Sequence, residues 1–298
     1  MSPITNKIRA FAKKSASVLA LTAVMSTANA GAGDLTAMLD VSQLGKVPVQ
    51  SLSAQSLGFD HATRLAPSRV AAALGEALVV TDARSSGRVR GEMSRFTFES
   101  APQRGLLLLQ AKPGADLARG VKAIPASAKD LPAKAKKLLA SLGIPASEVG
   151  TVTEKAVMRA SRLPGDAAGE LQATVHAQKV FVERQVNGLP VLGSQAVVTF
   201  DQSGNLKKLI MRWPALAASG HQLTSRLSAS RIAQRVAGDA VLTERANGFV
   251  GKVPVRLAYD PEEGAGGRLT LKLVAAAALV PDADGGEKIS VYNVAIDE

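Results

Sequence analysis

Apolar positions change their period several times along the chain, and each change marks an element. In "APSRVAAALGEALVV" Val70, Ala73, Leu74 and Ala77 recur at helical spacing behind Pro67, which suits a first helical turn. "GRVRGEMSRFTFES" reads as a strand, with Met93, Phe96 and Phe98 as its large apolar residues. "RGLLLLQAKPG" reads as a buried strand that ends at Pro113-Gly114. The Ala-, Gly- and Pro-rich "ADLARGVKAIPASAKD" after it is the expected linker.

The clearest helix follows in "KDLPAKAKKLLASLGIP". Leu131, Ala135, Leu138, Leu139 and Leu142 make one apolar face, Asp130 can cap the start, and Gly143 with Pro145 marks the stop. Lys134, Lys136 and Lys137 fall elsewhere, as a solvated face does. The period then drops to two. "TEKAVMRASRL", "LQATVHAQKVFVERQV", "PVLGSQAVVTF" and "LKKLIMRW" read as four successive strands joined by short turns, which force antiparallel neighbours. A second helix is expected in "LSASRIAQRVAGDAV", capped by Ser228 and striped by Ile232, Val236 and Ala240. "KVPVRLAYD", "RLTLKLVAAAALV" and "KISVYNVAI" close the chain as strands.

This order predicts an α+β fold: a helix packed on an antiparallel meander, with a possible second helix-plus-strands unit. Four regions are expected. They are residues 1–30, an N-terminal α+β region at 31–122, the helix and meander at 123–218, and a C-terminal extension or half-repeat at 219–298.

Composition changes the picture at the N-terminus. "MSPITNKIRAFAKKSASVLALTAVMSTANA" has a basic start, an apolar stretch near Val18–Met25, and a small-residue end at Ala28-Asn29-Ala30. That is the layout of a cleaved signal peptide, too short in its apolar run for a bilayer span. A secreted or periplasmic location is the expectation, with no transmembrane segment in the mature chain. Four of the 36 basic residues lie in those first thirty, leaving 32 against 25 acidic ones, a net +7. The charge is spread and aromatics are only 3%, so a nucleic-acid groove with stacking residues is not expected. The chain has no cysteine, which excludes thiol catalysis, thiolate metal sites and disulfides.

The usual catalytic patterns are absent. No His-Glu-x-x-His or Gly-x-Ser-x-Gly occurs, and His61, His176 and His221 lie more than 40 residues apart. "DADGG" at Asp282–Gly286 lacks the remaining oxygen ligands of a calcium loop. "GAGG" at Gly264–Gly267 does not open a helix, so it does not cradle a phosphate in the usual way. Glu262 and Glu263 are adjacent and would point apart on an extended chain. No cofactor, metal or catalytic residue is expected.

The most informative stretch is "RQVNGLPVLGS", Arg184 to Ser194. Asn187-Gly188 supplies the positive φ values of a type I′ turn, Pro190 belongs at an edge or just past the turn, and Gly193 permits a bulge. The longer span "VHAQKVFVERQVNGLPVLGSQAVVTFDQSGNLKKLIMRW" resembles PepSY and fungalysin/thermolysin-propeptide domains. The resemblance rests on Phe181, Arg184, Asn187, Gly188, Leu189, Pro190, Val191, Gly193, Asp201 and Gly204 in order, and on the preceding "AKKLLASLGIP". It covers roughly residues 129–216 and implies a cystatin-like fold. It also implies an inhibitor or intramolecular chaperone that restrains a peptidase, although no protease accompanies it in this chain.

The expected function is therefore an exported, noncatalytic protein-binding module whose partner is another exported protein, a peptidase among the candidates. Arg184, Asn187, Gly188, Leu189, Pro190 and Gly193 are the expected contact residues, with Leu189 as an exposed apolar anchor at a rigid turn tip. A structural, envelope-associated protein without a discrete ligand is the alternative, and an unrecognised hydrolase the remotest one.

Overall fold

The computed structural model describes residues 35–44, 65–83, 87–112, 130–161, 172–217, 228–247, 249–263, 269–281 and 289–296. The expected signal peptide, most of the linker, His61, His221, Gly264–Gly267 and Asp282–Gly286 lie outside the described residues.

In chain order the elements are α1 (Leu35–Met38), β1 (Leu39–Asp40), α2 (Pro67–Leu74), β2 (Val79–Ala83), β3 (Val89–Glu92), β4 (Phe96–Ala101) and β5 (Leu106–Ala111). Then come α3 (Leu131–Ser141), a 3₁₀ turn (Ala146–Glu148), β6 (Val149–Ser161), β7 (Gln172–Val186), β8 (Leu189–Phe200), β9 (Leu206–Arg212) and β10 (Leu216–Ala217). The last group is α4 (Ala229–Ala237), α5 (Ala240–Ala246), β11 (Gly251–Glu263), β12 (Leu269–Pro281) and β13 (Ser290–Ala295).

Local chemistry explains the helix ends. The N–H of Gly143 (φ 82) bonds to Ala140 O at 2.8 Å, and that of Ile144 to Leu139 O at 3.0 Å. This paired closure needs a left-handed residue, which glycine supplies without strain. Asp130 does not act as the expected cap, since its side chain makes no capping hydrogen bond. Ser228 does cap α4, accepting from Arg231 N at 3.3 Å. The second expected helix breaks at Gly238, and Asp239 starts α5 afresh by accepting from Leu242 N at 2.8 Å. Ala240 therefore opens a new helix instead of continuing the first stripe.

The thirteen strands among the described residues form one mixed sheet. Eight of them run antiparallel in the order β6-β7-β8-β9-β5-β4-β3-β2. The parallel contacts are β8 with β11, β1 with β11 and β10 with β12. This overturns the cystatin-like helix-on-meander fold expected from the sequence. The meander β6–β9 does not stop at its own edge: β5, from the N-terminal region, pairs along β9, and β8 also joins β11. The physical reason is that turns specify only consecutive pairings. The pairing of β5 with β9 spans the linker and leaves no local signal.

Two cores lie under the helices. In the first, Phe98, Leu109, Leu209, Val198 and Val180 form one cross-strand row over five strands, each facing the next in register. Leu131, Ala135 and Leu139 of α3 and Val70 of α2 close over this core. Full burial of one such leucine stabilises by roughly 1.5–3 kcal/mol. The second core joins Val253, Val255 and Tyr259 of β11 to Leu273, Ala275 and Ala277 of β12, beneath Ile232, Val236 and Leu242. Strands β11 and β12 are buried on both faces at Ala258, Val274 and Ala276, which suits the alanine run of β12.

Candidate functional site

The hairpin between β7 and β8 carries the six expected contact residues. Asn187 (φ 50) and Gly188 (φ 78) form the tight turn, with Val186 facing Leu189 and Gln185 facing Pro190. A bulge follows, centred on Gly193 (φ 67). Gln185 faces Pro190 but Glu183 faces Gln195, so β8 uses five positions where β7 uses two. The bulge bends the start of β8 away from β9, and Val191 pairs in parallel with Tyr259 of β11. The glycine and proline of "NGLPVLG" thus make the joint where the two halves of the sheet meet.

This geometry corrects the expected contact set. Leu189 is only 1% exposed and packs with Val186 and Val191 in the second core, so it is not a surface anchor. Arg184 is also only 1% exposed. At the tip, Gly188 is exposed while Asn187 and Pro190 are half-buried. The reason lies in alternation. Val180, Val182, Arg184 and Val186 share one face of β7, and that face points inward from Val180 to Val186.

Arg184 sits where that face passes from the first core to the second. Its Nε donates to Glu148 Oε2 at 2.8 Å, Nη2 lies 2.8 Å from the same oxygen, and Nη1 donates to Pro214 O at 2.6 Å. Trp213 Nε1 donates to Glu148 Oε2 at 2.8 Å, and the guanidinium lies 5.4 Å from the indole ring centre. Burial lowers the Arg184 pKa from its ordinary value, opposed by the Glu148 charge and hydrogen bond. A charge pair buried to this degree persists because neighbouring polar groups complete its hydrogen bonds. Trp213 is fixed in turn by its own N–H to Gly105 O at 2.7 Å. A Cβ on Gly105 (φ 60) would meet Trp213 O at 2.1 Å, so that approach requires glycine. This cluster joins parts of the fold and presents no group to solvent for chemistry. The sequence reading missed Glu148 and the polar role of Trp213. The available signal was the chain's single Trp, whose buried N–H needs an acceptor.

Other charged groups are also held by partners. Glu183 pairs with Arg256 at 3.9 Å, and burial raises its carboxyl pKa against the pull of Arg256 and a Thr151 hydrogen bond. Buried Glu99 lies 3.6 Å from Arg88 and 3.4 Å from Arg90. His176 Nε2 lies 3.2 Å from Lys207 Nζ. Glu262, at the end of β11, pairs with Lys272 at 2.7 Å. Among the described residues no three His, Cys, Asp or Glu side chains gather as a metal site.

Glu76 gives a pH test. Burial raises its carboxyl, but hydrogen bonds from Ser94 Oγ, Arg95 Nε (2.5 Å) and Arg95 N (3.1 Å), with the Arg95 charge, win and hold it at about 2. The folded pKa is thus depressed. The stabilisation is present above the unfolded value of about 4.3 and is lost as pH falls towards 2. Wild type should melt above Glu76→Gln at pH 5, and the gap should close by pH 2. Parallel melting curves across that range would show the cluster to be solvated.

Two strands end the antiparallel run of eight. Among the described residues β6, thirteen residues long, pairs with β7 alone, and its other edge is unpaired. Thr151, Glu154, Lys155, Ala156 and Met158 are exposed along it. At the far end, among the described residues, β2 pairs only with β3, and Val79 and Val80 are exposed. Among the described residues no helix is long and apolar enough to cross a membrane.

No protein-family model matches the chain, and no curated protein matches it. Solved structures with loose similarity include the following two. An uncharacterized protein from Eubacterium rectale aligns at TM-score 0.42 with 11% identity, over 78% of this chain and 79% of that one. The Bacillus megaterium YpeB C-terminal domain aligns at TM-score 0.34 with 12% identity, over 83% of this chain and 99% of that one. At such values neither likeness says what this chain does.

Proposed function

We propose that the chain is an exported, noncatalytic protein-binding module of propeptide type. It holds an extended segment of a second exported protein, such as a peptidase, along the open edge of β6. The observation that carries this reading is the thirteen-residue edge itself, paired on one side only among the described residues. Such an edge offers a row of main-chain donors and acceptors to an added strand. The buried ionic groups support the noncatalytic part, since Arg184 and Glu148 are engaged with each other and with Trp213. The resemblance of residues 129–216 to propeptide-type domains supports the kind of partner. The hairpin enters this reading as the joint that holds the sheet together.

The test uses the chain from Gly31 onward, mixed with its exported proteins, and then with each captured partner in pure form. Amide exchange in Val149–Ser161 should slow on binding. A partner that leaves exchange in β6 unchanged, or the absence of any partner, would sink this reading.

A further inference from the structure

The chemistry of the β6 edge narrows what it can hold. Lys155 of β6 stands directly opposite Lys179 of β7. Both lie on the face opposite the helices, since Val180 and Val182 point into the first core. Lys179 faces Thr199, and Thr199 faces Lys208, so a basic row runs inward from the edge. Among the described residues neither Lys155 nor Lys179 has a carboxylate partner. Glu183, on the same face of β7, is taken by Arg256, and Glu154 points to the other face of the sheet. Like charges directly opposite each other in a sheet are destabilising, and an opposite charge in the next strand relieves them.

We infer that the β6 edge selects an acidic extended segment, with a carboxylate side chain placed opposite Lys155. This rests on the strand-addition reading above and specifies its partner. An added strand sets one residue beside Lys155, on the same face and within reach of Lys179. Its neighbours in sequence fall on the other face, beside Glu154, Ala156 and Met158, where Met158 is 54% exposed and favours an apolar contact. The partner segment therefore carries a carboxylate beside Lys155 on one face and small or apolar residues beside Ala156 and Met158 on the other. The same lysines disfavour a second copy of this chain, because antiparallel pairing of two β6 edges about Lys155 would bring like charges together.

The experiment uses the chain from Gly31 and three labelled β-prone octapeptides that differ only in a central Glu, Gln or Lys. Fluorescence anisotropy gives the Kd, and amide exchange locates the contact. The Glu peptide should bind about two- to fivefold tighter than the Gln peptide at low salt, with the gap shrinking at high salt. Protection should fall in Val149–Ser161. Lys155→Glu with Lys179→Glu should reverse the order of the Glu and Lys peptides. Lys136→Glu with Lys137→Glu, which makes the same change in net charge on exposed positions of α3, should leave the order intact. Equal binding of all three peptides with β6 protected would overturn the acidic preference and leave strand addition standing. Reversal by the α3 variant would reduce the preference to net charge and overturn it as well. The absence of β6 protection with every peptide would overturn both.

Discussion

Glu148→Ala should lower the unfolding free energy by about 3–5 kcal/mol, because it leaves the Arg184 guanidinium buried without its counter-charge. The same change strips Trp213 Nε1 of its acceptor, which adds an unsatisfied buried donor. Glu148→Gln keeps an acceptor oxygen but not the counter-charge, so it should cost less than Glu148→Ala and fall at the low end of that range, about 3 kcal/mol. Trp213 is the only tryptophan in the chain, so its fluorescence in a urea titration reports on this cluster directly. A loss under about 1 kcal/mol for Glu148→Ala would show that water reaches the pair in solution.

Leu189→Asp should be at least as damaging, at about 4 kcal/mol or more, since it places a carboxylate among Val186, Val191 and their neighbours in the second core. Leu189→Ala should cost about 2–5 kcal/mol through the cavity it leaves. Gly188→Asn, one residue away on the exposed tip, should change stability little, because asparagine tolerates the positive φ found there. Thermal unfolding of the three variants checks the order. An unshifted midpoint for Leu189→Asp would return the leucine to the surface, where the sequence reading had placed it. The hairpin would then again be a candidate contact.

The difference between those two placements of Leu189 shows where sequence reasoning reaches its limit. The turn itself was legible: Asn187-Gly188 demands positive φ, and Gly193 accepts one. Alternation along β7 was also legible, and it put Val180, Val182 and Val186 on one face. Arg184 lies on that same face, so period two already implied its burial. Treating it as a surface contact followed its charge instead of its phase. For Leu189 the missing information was what lies beneath the turn. A leucine beside a hairpin tip is exposed only if no core lies under it, and here Leu189 enters the core that β11, β12 and the helices α4 and α5 build.

By itself the sequence determined the local elements: the α3 stripe and its glycine stop, the order of the β6–β9 strands, the hairpin turn and the lack of catalytic motifs. These follow from contacts between residues close in sequence, where period, capping and turn chemistry are decided. Tertiary structure alone decided that β5 pairs with β9, that β8 turns aside at Gly193 to meet β11, and that Glu148 and Trp213 enclose Arg184. Those contacts join residues far apart in the chain. Main-chain hydrogen bonding is nearly indifferent to side-chain identity, so many strand orders satisfy the same apolar pattern. The choice among them is made by how two cores, one buried charge pair and one bulge fit together at once.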